Sequence, residues 1–168
     1  RPRRMKTALE TVRSYLRRLL CAGLALFTSG SLLAEDPARV IVVLDASGSM
    51  WGEIDGEPKI EIARETIAGL LDDWNTDRHI GLIAYGHREK GSCEDIELLI
   101  APAPLDKGSF LQVVNNIIPK GKTPLTDAVE QAAQELRYTE EAANVILVSD
   151  GEENCGKDPK AVAQMLAA

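Results

Sequence analysis

Hydrophobic and polar positions follow two rhythms after residue 38, and each rhythm predicts a different element. Val40-Ile41-Val42-Val43-Leu44 is an unbroken apolar run ending at Asp45. Such a short β-branched run predicts a strand buried on both faces, as in a parallel sheet. Residues 46–57 are rich in glycine and polar side chains and read as a loop. Pro58 then stands at a favoured first-turn position of a helix. Ile60, Ala63, Ile67, Leu70, Leu71 and Trp74 recur at helical spacing, so this helix buries one face. Residues 79–85 predict a second strand and residues 95–100 a third. The connection between them is short, which makes them antiparallel neighbours. Pro102 and Pro104 mark a linker. Asp106 is an N-cap for a helix through about Ile117, with Phe110, Leu111, Val114 and Ile117 on one face. Thr123-Pro124 opens a further helix, in which Leu125, Ala128, Val129, Ala132, Ala133 and Leu136 are periodic. Residues 144–149 predict a strand, and Asp158-Pro159 starts a last helix.

Strands alternating with helices predict an α/β fold: a doubly wound, mostly parallel sheet with one antiparallel edge strand and helices on both faces. Four strands make a small sheet of this kind, and residues 144–149 would leave a long apolar edge. The expectation is a domain truncated at its C-terminus by one or two strand–helix units.

Charge changes the picture at the N-terminus. Seven of the 19 basic residues and one of the 26 acidic ones fall within residues 1–34, leaving 12 against 25 in the remainder, a net of −13. So acidic a domain is poorly suited to nucleic acid or anionic lipid. It suits cations, or a partner reached through a cation. Within the basic segment, Arg17-Arg18 precedes the apolar run Leu19 to Phe27 and the small residues Thr28-Ser29-Gly30-Ser31. That order is a secretory signal peptide, with cleavage expected near Ala34. The chain accordingly divides into a leader over 1–34 and a domain over 35–168. The apolar run is too short to span a bilayer, so no stable membrane span is expected in the mature chain. The protein would be exported, to the periplasm or the extracellular space. A buried or amphipathic N-terminal helix is the rival reading. Lipid attachment at Cys21 is weaker, because bulky Leu20 precedes it.

The candidate chemistry lies at one edge of the predicted sheet. Asp45, Ser47 and Ser49 follow the first strand, Thr123 opens a helix, and Asp150 follows the last strand. In open α/β sheets, ligands bind beyond the carboxyl ends of the strands. Two carboxylates and three hydroxyls converging there suit a hard cation: Mg²⁺ above all, or Mn²⁺ or Ca²⁺. Neutral hydroxyls add little negative charge, so the ion would stay electrophilic and accept an outside acid. Taken singly, the serines could cap a turn, the aspartates could sit at helix entries, and Thr123 could be an N-cap. Together they point to a metal site.

Asp45-Ala46-Ser47-Gly48-Ser49-Met50, Thr123 and Ser149-Asp150-Gly151 resemble the metal-ion-dependent adhesion site of von Willebrand factor A domains, most closely their bacterial exported members. The resemblance covers about residues 38–168. It implies Asp45, Ser47, Ser49, Thr123 and Asp150 around the ion, some of them acting through water. It also implies a doubly wound fold, a binding role in place of catalysis, and a protein partner that supplies a carboxylate. The chain departs from the family by ending early.

Two alternatives come from other classes. One is a hydrolase using Ser47 or Asp45. However, Ser47 lacks a Gly-x-Ser-x-Gly frame. Of the two histidines, His79 starts a strand at the far end and His87 lies in a surface turn. Phosphoryl transfer at Asp45 would want a lysine, for which Lys122 is the candidate. The other alternative is a structural envelope module with a non-essential metal site.

Cys93 and Cys155 both fall near the metal edge, so a disulfide between them is geometrically reasonable and would brace the loop carrying Asp150. Two separate thiols are the rival. Met50-Trp51 directly follows the metal loop, and an exposed apolar pair there could contact a partner; packing beneath the loop is the alternative. Asp55, Glu57, Glu152 and Glu153 read mainly as solvated charges at the same edge.

Overall fold

The computed structural model describes residues 38–140 and 143–166. The proposed leader lies outside them. Strand β1 (Arg39–Asp45) leads through a 3₁₀ turn (Gly48–Trp51) into a small hairpin, β2 (Glu53–Ile54) and β3 (Glu57–Pro58). Helix α1 (Lys59–Asp72), β4 (His79–Tyr85), β5 (Ile96–Ala103), α2 (Lys107–Asn116), α3 (Leu125–Glu135), β6 (Ala143–Val148) and α4 (Pro159–Leu166) follow. The main sheet has the order β5-β4-β1-β6. Strand β1 is central and pairs in parallel with both β4 and β6. Strand β5 is antiparallel to β4, as the short connection between them requires.

The pleat of β1 explains why helices cover both faces. Val42 and Leu44 point to one side, where they meet Ile60, Ile67 and Leu71 of α1 and Phe110 and Val114 of α2. Ile41 and Val43 point to the other, against Ala128, Ala132 and Leu136, with Ile83 and Tyr85 of β4 on the same side. Every residue from Val40 to Ala46 is essentially inaccessible to water. Asp106 caps α2 by accepting the Ser109 N–H at 3.2 Å, as the sequence predicts. No helix among the described residues is long and apolar enough to cross a membrane.

Three local expectations are corrected. The loop predicted over 46–57 contains the β2–β3 hairpin. Its turn is Asp55-Gly56, both residues at positive φ, the backbone an Asp-Gly turn favours. The linker predicted at Pro102 is strand: β5 runs on to Ala103, which an edge strand tolerates because an edge residue need not donate into the ladder. Pro58 belongs to β3 and precedes α1, which begins at Lys59.

The β4–β5 connection is held by Asp95, whose side chain is fully buried. It accepts from the Arg88 N–H (2.7 Å), the Arg88 Nε (2.7 Å) and the Glu89 N–H (2.9 Å). Burial pushes this carboxyl up, but those three donors outweigh burial and hold it below the usual carboxylate range. A lowered folded-state value means stability that is present above the unfolded carboxylate range, near pH 4, and lost as pH falls through the folded value. Asp95→Asn is expected to cost about 2–4 kcal/mol at neutral pH, because it leaves an amide facing donors. It should also flatten the acid limb of the stability curve. Urea titrations at neutral and acid pH read both effects.

Candidate metal centre

The register of the sheet builds the site. Asp45 stands beside Tyr85 across β1 and β4, and Leu44 stands beside Val148 across β1 and β6. The loops after the three strands therefore leave from one edge. The donor loop is anchored by Ser47 bridging to Gly121, by the Gly48 N–H to Gly121 O at 3.0 Å, and by the Lys120 N–H to Ala46 O at 3.0 Å. Gly86 lies beneath, at φ +71°; a Cβ there would come within 2.5 Å of Lys122 O and 3.1 Å of Ser47 Cα. Only glycine lets these three loops close over one another.

Four of the sequence-predicted donors are joined by hydrogen bonds, and Thr123 stands beside them at Gly151 with its methyl group toward that residue. Asp45 Oδ1 accepts the Ser47 N–H at 2.8 Å. The Ser47 and Ser49 hydroxyls are 2.9 Å apart, and Ser49 Oγ donates to Asp150 Oδ1 at 3.0 Å. Measured from an ideal Cβ on Gly151, Asp45 Oδ2 lies at 3.6 Å, Thr123 Cγ2 at 3.7 Å and Ser49 Oγ at 3.8 Å. Asp45, Ser47 and Thr123 are buried, while Ser49 faces solvent. Thr123 does not cap α3. Its N–H donates to Asn154 Oδ1 (2.8 Å) and its hydroxyl accepts from Asn154 Nδ2 (3.3 Å). The capping role at α3 falls to Glu153, which takes the Thr126 N–H at 2.8 Å and the Cys155 N–H at 2.7 Å. Glu153 is thus a structural acceptor and not a solvated charge.

Besides Asn154, three participants were not legible in sequence. Ser149 donates to Asp45 Oδ2 at 2.6 Å, and Tyr85 donates to Ser149 Oγ at 3.2 Å. Burial, reinforced by the Asp45 carboxylate, pushes the Tyr85 hydroxyl up, so it stays protonated and remains a donor. The third is Lys59, whose ammonium pairs with Asp150 Oδ2. Only the Ser149-Asp150-Gly151 run gave a hint of Ser149. Tyr85 and Lys59 lie 40 and 14 residues from Asp45, and pairing register alone brings Tyr85 in.

Other candidates resolve differently. Met50 is 2 % exposed and belongs to the core beside Ile60, so it is withdrawn as a partner contact. Trp51 is 51 % exposed, with its indole N–H donating to Pro119 O at 3.0 Å. Asp55, Glu57 and Glu152 are exposed. His87 is no free surface histidine: its side chain is 11 % exposed and its Nε2 meets Glu97 at 3.0 Å. His79 starts β4, at the opposite end of the sheet from the donors. Cys93 and Cys155 form a disulfide with a Cα–Cα distance of 5.7 Å, which ties the loop after β6 to the β4–β5 connection.

The candidate donors are two carboxylates and three hydroxyls. Among the described residues no three of His, Cys, Asp and Glu gather as a metal-binding cluster. A soft or nitrogen-preferring metal has little to bind here, whereas the donor chemistry fits a hard, partly hydrated cation.

Fold and site together define a doubly wound α/β domain with an oxygen-lined edge beyond its parallel strands. The profile of the von Willebrand factor type A domain matches residues 40–153, and the chain belongs to that family. It is 31 % identical to the Bacillus subtilis (strain 168) protein YwmD, over 91 % of this chain and 75 % of that one. With YwmC of the same organism it shares 32 % identity over 79 % of this chain, and the match spans 63 % of YwmC's length. Its fold resembles that of proximal thread matrix protein 1 from the mussel byssus, with a TM-score of 0.59 at 20 % identity, covering 77 % of this chain and 33 % of that one.

Proposed function

We propose that this domain is a cation-dependent protein-binding module. In this reading Asp45, Ser47, Ser49, Thr123 and Asp150 hold a divalent cation, Mg²⁺ or alternatively Mn²⁺ or Ca²⁺. A carboxylate of a protein partner completes its shell, as in a metal-ion-dependent adhesion site. The observation that carries the reading is the continuous path from Asp45 through Ser47 and Ser49 to Asp150, which links the loops after the parallel strands β1 and β6. Family membership supports it, since type A domains often mediate protein–protein interaction. Bound there, the cation would supply Lewis acidity toward an incoming oxygen. Asp45 is fixed by Ser149 and the Ser47 N–H, and Thr123 by Asn154, so little reorganisation is needed on binding. Binding is favoured over hydrolysis because the Ser47 hydroxyl meets a second hydroxyl and not a base.

Calorimetric titration with MgCl₂ tests the reading. One site is expected, with a dissociation constant on the order of 10⁻⁴ to 10⁻³ M, the weak end for oxygen sites of low charge. Thr123→Ala should weaken it. A silent titration, or one unchanged in Thr123→Ala, overturns the proposal.

The same reading places the domain outside the cytoplasm, in the periplasm or beyond, because a disulfide braces it and the segment before it has the order of an export leader. Mass spectrometry of the protein from a fractionated culture should find an exported chain beginning near Glu35. An intact leader on cytoplasmic protein contradicts this.

A further inference from the structure

Lys59 has no obvious reason to stand where it does as a helix residue. It is the first residue of α1, a helix of 14 residues, and so lies at the positive end of the helix dipole, where a cation is disfavoured. Its position is nevertheless firmly set. The β2–β3 hairpin turns back at Asp55-Gly56, and the Lys59 N–H donates to Gly52 O at 2.9 Å. The side chain lies along Gly52, with Cε at 3.5 Å and Nζ at 3.6 Å from an ideal Cβ on that residue. There the ammonium meets Asp150 Oδ2, while Oδ1 of the same carboxylate takes the Ser49 hydroxyl. The pair is partly shielded: the Lys59 side chain is 27 % exposed and that of Asp150 12 %, at the open edge of the site. Ser47 and Ser49 link the two carboxylates, Asp45 through the Ser47 backbone N–H and Asp150 through the Ser49 hydroxyl, and two carboxylates at one loop repel each other unless a positive charge stands near. The chain carries its own such charge.

We propose that Lys59 is a tethered counter-cation of the metal site, bound to Asp150 in the metal-free protein and displaced from it when a divalent ion binds. This rests on the cation-binding reading above and sharpens it. The ammonium sets how much free cation the site needs before it fills. The donor loop is thereby kept neutralised, and in its binding shape, while empty of metal.

Calorimetric titrations with MgCl₂ alone, at one fixed ionic strength, test this on wild type, Lys59→Met and Lys59→Arg. Methionine keeps most of the apolar stem and removes the charge. The expected result is about three- to tenfold tighter Mg²⁺ binding in Lys59→Met, the effect of deleting one partly shielded competing charge. Lys59→Arg should stay near wild type. Without Mg²⁺, Lys59→Met should melt below wild type, and saturating Mg²⁺ should close that gap. In wild type, the NMR signal of the Lys59 ε-methylene should move on Mg²⁺ saturation toward its position in metal-free Asp150→Asn. Equal or weaker binding by Lys59→Met, or an ε-methylene signal that ignores bound Mg²⁺, overturns the inference and leaves the metal site standing. Failure of both wild type and Lys59→Met to bind Mg²⁺ removes the metal site itself, and the inference with it.

Discussion

Asp45→Asn is expected to weaken Mg²⁺ binding by at least about 100-fold, the upper end of what losing even a residue that supports a metal ligand costs. The same change should leave the metal-free protein at least as stable as wild type. Both directions follow from the burial of Asp45, which is inaccessible to water. An ionised carboxylate there has lost its hydration, and its compensation is the Ser47 N–H and the Ser149 hydroxyl. An asparagine keeps the shape, and its oxygen can still accept from Ser47. Ser149 Oγ already accepts from Tyr85 and from the Gly151 N–H, so it takes the new amide by turning its hydroxyl away and exchanging the Gly151 N–H, which is partly exposed. Repulsion with Asp150 disappears as well. A carboxylate that is costly without a cation and essential with one is the signature of a binding site. Calorimetry and thermal melts on the same two proteins read both effects. If Asp45→Asn melts well below wild type while binding Mg²⁺ normally, Asp45 is a structural residue and the site has been misplaced.

The second large effect concerns the disulfide. Cys93 and Cys155 are 62 positions apart, and closing a loop of that size stabilises the folded state by on the order of 4 kcal/mol. For a domain of this size that corresponds to a melting midpoint lower by roughly 15 °C in the Cys93→Ser, Cys155→Ser protein. The site should feel it too. Cys155 follows Asn154, whose side chain takes the Thr123 N–H, and Glu153, which caps α3. Freeing this loop loosens Thr123 and Asp150 together, so the double variant is expected to bind Mg²⁺ several-fold more weakly. Differential scanning calorimetry with and without Mg²⁺ measures both quantities. An unchanged midpoint would show that the loop is held by its hydrogen bonds alone.

Much of the fold was legible because its signals are local. The apolar run of β1, the helical spacing of Ile60, Ala63 and Ile67, and the Asp106 cap each fix an element within a few residues. The features missed are those in which a distant partner or a weak local signal decides. The β2–β3 hairpin has two-residue strands with no hydrophobic pattern, and only its Asp-Gly turn could have given it away. Pro102 reads as a break until one knows that β5 lies at the edge of the sheet. Thr123 looks like an N-cap because Thr-Pro usually is one, yet Asn154 claims both its N–H and its hydroxyl. The five proposed donors were visible as a motif, but the groups that hold three of them were not: Asn154 on Thr123 is one. Tyr85 and Ser149 reach Asp45 through the parallel register of three strands. Lys59 reaches Asp150 because the hairpin folds back on Gly52.

Paramagnetic broadening by Mn²⁺ in the ¹H–¹⁵N spectrum tests the central claim most directly, because it locates the cation without requiring a partner. The account predicts that sub-stoichiometric Mn²⁺ erases the amide signals of Ser47, Ser49, Thr123 and Gly151. Those of Ala38 and His79, at the opposite end of the sheet, should remain, and excess Mg²⁺ should restore the lost signals. Broadening centred elsewhere, or none that Mg²⁺ reverses, would contradict it.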